Sequence, residues 1–107
     1  MSSIRNLVID VAGTELTSFE QQMLSHPAIR GVIIFTRNFN NKDQLVDLIE
    51  SIRGFSATDI EVSVDQEGGR VQRLRDGFSE LPALRVYGEQ WQDEPAAAWQ
   101  AAFEHGK

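Results

Sequence analysis

The chain has 107 residues, 41% apolar and 24% charged, the balance of one ordinary soluble globular domain. A formal net charge of −6 with no basic run argues against a nucleic-acid partner and against binding to a membrane surface. Cysteine is absent, excluding disulfides and thiolate metal sites, and no stretch approaches the roughly 20 apolar residues of a transmembrane helix.

The N-terminus, Met-Ser-Ser-Ile-Arg-Asn, lacks the basic start and apolar core of a signal peptide, so the expected location is cytoplasmic. Ile4 to Asp10 then has the apolar run Leu7-Val-Ile9 of a strand covered on both faces. Thr17-Ser-Phe-Glu20 matches a capping box, which starts a short helix. Phe19, Met23 and Leu24 share one face of it, and His26-Pro27 ends it. Gly31 to Phe35 is a second buried strand, followed by a polar loop, Thr36 to Asn41. Asn41 or Asp43 caps the next helix, where Leu45, Leu48, Ile49 and Ile52 recur at helical spacing and Gly54 suits a left-handed C-terminal cap. Ile60 to Val64 is the third strand. Strand and helix alternating at this spacing predict a parallel βαβαβ arrangement.

Beyond it, Arg75-Asp-Gly-Phe-Ser suits a turn, and Leu81-Pro82 an extended approach to another helix. Asp93 before Glu94-Pro95 marks a helix start, with Ala96, Trp99 and Phe103 as a core-facing stripe. Trp91 is also assigned to the core. There is no internal repeat, low-complexity linker or boundary signal, so residues 1–107 are taken as one domain.

The segment Val62 to Arg73 concentrates the chemistry. An apolar strand delivers Asp65, a glycine pair follows, and Arg70 and Arg73 lie three residues apart. A carboxylate at the carboxyl end of a buried strand occupies the place where α/β folds put ligands. Gly68 and Gly69 allow a sharp turn and a close approach of backbone to ligand. The arginines offer donors to hydroxyls or anions. Asp65 could instead cap the turn, and Arg73 could pair with a nearby acid such as Asp76.

Val64-Asp-Gln-Glu-Gly-Gly-Arg-Val-Gln-Arg73 resembles the signature of the family 3 glycoside hydrolases. The resemblance is closest to the bacterial cytoplasmic β-N-acetylglucosaminidases (β-hexosaminidases) of peptidoglycan recycling. Ile9-Asp-Val-Ala-Gly13, Gly31-Val-Ile-Ile-Phe-Thr-Arg-Asn38 and Gly77-Phe-Ser-Glu-Leu-Pro-Ala83 agree in order and spacing, so the resemblance runs from Leu7 to the end. It implies the N-terminal βαβαβ portion of a TIM-type (β/α)8 barrel, a fold of about 250 residues. The chain is therefore expected to be a truncated, N-terminal part of such a catalytic barrel.

The resemblance further implies a retaining glycosidase that removes terminal β-linked N-acetylglucosamine from muropeptides. It assigns Asp65 and Arg73 to sugar binding. It places the nucleophilic aspartate and the acid/base histidine beyond Lys107, so no catalytic residue is expected in this chain, which alone should be inactive. Glu67 and Arg70 are expected to brace the loop, Arg37 and Asn38 to tie the second loop to the third, and Asp10 to help close the site or to cap the turn that follows it. His26 and His105 have no metal-ligand spacing and are assigned to surface or cap positions; no metal or cofactor is implied. An unpaired strand edge would favour self-association. Two other classes remain open: a small complete α/β module binding a polar small molecule without catalysis, and a structural fragment without a ligand.

Overall fold

A computed structural model describes residues 6–107, which form two compact units meeting in sequence at Asp65/Gln66. No composition shift marks that point. The expected strand residues Ile4 and Arg5 lie outside the described residues.

The first unit is a three-stranded parallel sheet in the order β1-β2-β3, with β1 Leu7–Ile9, β2 Ile29–Ile34 and β3 Glu61–Val64. Helix α1, Ser18–Leu24, joins the first pair of strands and helix α2, Lys42–Phe55, the second. The expected βαβαβ order is present. Register sets Val8 beside Gly31, Ile9 beside Val32, Val32 beside Val62, and Ile34 beside Val64. Because side chains alternate along a strand, Ile9, Val32, Ile34, Val62 and Val64 share one face. That face is the covered one: Val32 and Ile34 are buried, and they join Val11, Leu24, Ile29, Leu45, Leu48, Ile52 and Ile60 in the core.

The expectation of burial on both faces fails. On the opposite face Val8, Glu61 and Ser63 are exposed, and Leu7, at the start of β1, is exposed as well. Gly31 lies tight against β3, where a Cβ would stand 3.0 Å from the Glu61 carbonyl oxygen.

Thr17 and Glu20 make the anticipated capping box. The Glu20 N–H donates to Thr17 Oγ1 at 3.1 Å, and the Thr17 N–H donates to Glu20 Oε1 at 2.9 Å. Glu20 is only 8% exposed, and its other oxygen accepts from the Ala12 N–H at 2.8 Å. One carboxylate thus ends β1's loop and starts α1. Leu24 is buried as expected, but Phe19 is exposed, its place on the inner side taken by Glu20. Helix α2 is capped by Asn41, whose Oδ1 accepts from the Gln44 N–H at 2.8 Å. Leu45, Leu48 and Ile52 are its buried stripe, each contributing about 1.5–3 kcal/mol by burial. Gly54 is not a left-handed cap: α2 continues through it to Phe55, and Ser56 ends the helix in an extended conformation.

The second unit holds an antiparallel hairpin, β4 Gln66–Gly68 with β5 Val71–Gln72, and two helices, α3 Arg85–Asp93 and α4 Pro95–His105. Asp93 closes α3 rather than capping α4. Glu94, with a non-helical backbone (φ −136°, ψ 72°) and no side-chain cap bond, separates the helices, and Pro95 opens the second. Ala98 is buried, but Trp99 and Phe103, expected inside, are 60% and 52% exposed and stack on each other with ring centroids 5.5 Å apart. Trp91 is exposed too. The covered face of α4 is instead the one carrying Ala98, Ala101 and His105. His105 is half-buried, not a surface residue: its Nδ1 shares a 2.9 Å hydrogen bond with the Tyr87 hydroxyl and so links α4 to α3.

Asn38, fully buried, closes the turn after β2. Its Oδ1 accepts from the Phe35 N–H at 2.8 Å, and its Nδ2 donates to the carbonyls of Val11 at 2.9 Å and Gly13 at 2.8 Å. Asn38→Ala strands these three backbone groups away from water and is expected to lower the unfolding free energy by about 3 kcal/mol, measured by urea denaturation.

Candidate functional site

In a parallel sheet all carboxyl ends fall on one edge. Here β1 leads directly into Asp10, β2 into Phe35 and the short 3-10 turn Thr36–Asn38, and β3 into Asp65. Asp10, Arg37 and Asp65, all exposed, therefore follow strand ends on the same edge of the first unit. Arg37 is held in place from three sides. It forms an ion pair with Asp10, its Nε donates to the Val11 carbonyl at 3.2 Å, and its guanidinium lies 4.9 Å from the centroid of the Phe35 ring. Both partners of the ion pair are about half exposed, so it contributes little to stability. Its effect is to orient: a fixed guanidinium and carboxylate stand at the sheet edge. Gln44 adds a further tie, its Nε2 donating to Thr14 O and to Asn38 O, each at 2.9 Å. Arg37 and Asn38 thus join the loop after β2 to the loop after β1, not to the loop after β3 as expected.

In the second unit the glycine pair makes the hairpin turn. Gly68 has φ +94° and Gly69 φ +58°, both in the left-handed region. Gly68 is also closed in sterically: an added Cβ would collide with the Pro82 carbonyl oxygen and stand 2.8 Å from Leu81 Cβ. The Gly69 N–H donates to Leu81 O at 2.7 Å, so the segment Leu81–Ala83 forms a wall behind the turn.

The bonds that brace this loop come from residues other than those expected. Glu67 and Arg70 are exposed, and no hydrogen bond or ion pair of either is found among the described residues. The brace consists of two glutamines and Arg75. Gln66 bonds both backbone groups of Leu74: its Nε2 donates to Leu74 O at 2.8 Å, and its Oε1 accepts from the Leu74 N–H at 3.1 Å. Gln72, 4% exposed, donates from Nε2 to Ser79 O at 2.7 Å and Leu74 O at 3.1 Å, and accepts the Leu81 N–H at 2.8 Å. Arg75 donates to Gly69 O at 2.8 Å and lies 4.0 Å from Glu80. Arg73 is half-buried between buried Gln72 and buried Leu74, its Nε enclosed. Asp65 and Arg73 each make further interactions, so neither is free.

The sequence signals for Gln66 and Gln72 were present, an amide on each strand of a two-glycine hairpin, but a glutamine carries no charge to draw attention. Charge drew it to Glu67 and Arg70 instead.

Residues 4–106 match the glycosyl hydrolase family 3 N terminal domain. The chain belongs to this family. It is 48% identical over 101 residues to a β-hexosaminidase of Bordetella avium, covering 94% of this chain and 29% of that protein. The structure of native NagZ from Neisseria gonorrhoeae superposes with a TM-score of 0.90 at 41% identity, over 96% of this chain and 30% of that one. NagZ from the same organism in complex with N-trifluoroacetyl-D-glucosamine gives a TM-score of 0.89 at 42% identity, over the same shares. The fold is thus the expected portion of the family's TIM-type barrel, and the chain spans about 30% of the length of the relatives it matches.

Of the two hairpin glycines, Gly68 is the more tightly enclosed. Gly68→Ala meets both an unfavourable φ and the Pro82 wall, so it is expected to destabilise the second unit by about 2–3 kcal/mol. Amide hydrogen exchange would detect this as lost protection at Gly69 and Leu81.

Proposed function

We propose that this chain is the subsite-bearing N-terminal part of a β-N-acetylglucosaminidase. Asp65 and Arg73 bind the hydroxyls of the terminal N-acetylglucosamine, and the hydrolytic groups are supplied by polypeptide outside these 107 residues. The observation that carries the reading is the family match across residues 4–106, with Asp65 at a strand's carboxyl end inside the shared signature. A carboxylate accepts two sugar O–H bonds in one plane, and a guanidinium donates several in another, which suits them to adjacent hydroxyls.

On this reading the full-length enzyme is a retaining glycosidase. Its aspartate nucleophile attacks the anomeric carbon while a histidine protonates the departing oxygen; water then releases the sugar from the glycosyl-enzyme. Its substrate is a muropeptide bearing a terminal β-linked N-acetylglucosamine. Its setting is cytoplasmic peptidoglycan recycling. Support for the sugar comes from the relatives, β-hexosaminidases, and from the N-trifluoroacetyl-D-glucosamine bound to one NagZ. No helix among the described residues is long and apolar enough to cross a membrane.

The full-length polypeptide is expected to hydrolyse an aryl N-acetyl-β-glucosaminide, and the 107-residue chain alone to leave it intact. Asp65→Ala and Arg73→Ala in the full-length enzyme are each expected to lower kcat/KM by about 10- to 150-fold, the loss of one charged hydrogen-bonding group. Turnover by the isolated chain would place the hydrolytic groups within it and sink this division of roles.

The 107-residue chain also self-associates on this proposal. Both outer edges of the sheet, at β1 and β3, lack a neighbouring strand among the described residues, and Leu7, Val8, Trp91, Trp99 and Phe103 are exposed. Sedimentation velocity is expected to show species larger than a monomer at micromolar concentration; a single 12.0 kDa species counts against it.

A further inference from the structure

We infer that Gln66 is a positioning residue for Arg73, acting as a substitute strand that fixes the backbone on which the sugar-binding guanidinium stands. The inference rests on the proposed sugar-binding role of Arg73.

The β4–β5 ladder pairs Gln66 with Gln72 and stops there. Leu74, two residues on, presents its N–H and C=O where a next rung would lie, and β4 offers no backbone to meet them. The Gln66 side chain does so instead. A primary amide has the donor and acceptor of a peptide group, and Gln66 applies them to Leu74 O at 2.8 Å and Leu74 N at 3.1 Å. Gln72 adds a second donor to the same carbonyl at 3.1 Å and secures its own strand to Ser79 and Leu81. Arg73 is thereby held between two buried residues, Gln72 and Leu74, whose polar groups are satisfied by side-chain amides. Arg73 itself follows the last ladder residue, Gln72, at a bend, and is half-buried with its Nε enclosed. The long arginine side chain has many rotamers, and a fixed base reduces the arc its guanidinium sweeps.

Glutamine is the residue type that this task requires. Glutamate at position 66 keeps the size and the acceptor for the Leu74 N–H, but sets a second oxygen against the Leu74 carbonyl. Leucine removes both bonds.

The test is a double-mutant cycle in the full-length enzyme, with kcat/KM measured on an aryl N-acetyl-β-glucosaminide. Gln66→Glu and Gln66→Leu are each expected to lower kcat/KM about 10- to 30-fold when Arg73 is present. In the Arg73→Ala background the same substitutions are expected to cost less than about twofold, because the group they position is gone. Equal losses in both backgrounds overturn the inference and make Gln66 a general structural residue. No loss with Arg73 present overturns it as well. If the leucine variant does not fold, the glutamate variant, of unchanged size, decides alone. Wild-type turnover combined with an Arg73→Ala variant of full activity would overturn the sugar-binding reading of Arg73, and this inference with it.

Discussion

Loops at the carboxyl ends of parallel strands must satisfy backbone groups that no neighbouring strand can reach, and in this chain side-chain amides do so. Asn38 bonds the backbone of three residues in two loops, Gln44 bonds two carbonyls, and Gln66 and Gln72 make five bonds to four backbone groups, those of Leu74, Ser79 and Leu81. Buried backbone polar groups left unpaired cost about 1–3 kcal/mol each, so these few side chains decide whether the loops have one conformation or many. Arg37 beside Asn38 and Arg73 between Gln72 and Leu74 are set on that framework.

The two units use different means to the same end. In the first, Glu20 and Asn38 hold the turns while a conventional core of aliphatic side chains sits beneath the sheet. In the second, Leu74 and Ala98 are the buried apolar residues, and the order of the hairpin relies on glycine conformation and amide bonds. A loop held by polar geometry can be shaped closely around a ligand. It gains less from burial when a residue is lost.

Much of this was legible in the sequence because the signals are local. The capping box, the Asn41 cap, the Leu45, Leu48 and Ile52 stripe and the three strands each follow from spacing within a few residues. Covering a surface is not local. Leu7, Val8, Trp99 and Phe103 have the spacing of buried residues, yet they are exposed, because which face is covered is not specified by neighbours in sequence. Gly54 illustrates a second limit: a glycine near a helix end permits a left-handed cap without requiring one. At the candidate site, Asp65 and Arg73 stood out by charge and motif. The glutamines that organise the hairpin did not, because an amide's worth depends on which backbone groups happen to be unpaired nearby.

The choice of amides over carboxylates in the hairpin has a chemical corollary. An amide neither gains nor loses a proton across the range in which enzymes work, and it carries no net charge for dissolved ions to screen. The glutamine bonds of the hairpin are thereby insensitive to acidity and ionic strength, and among the described residues only the contact of Arg75 with Glu80 in its brace is open to screening by dissolved salt.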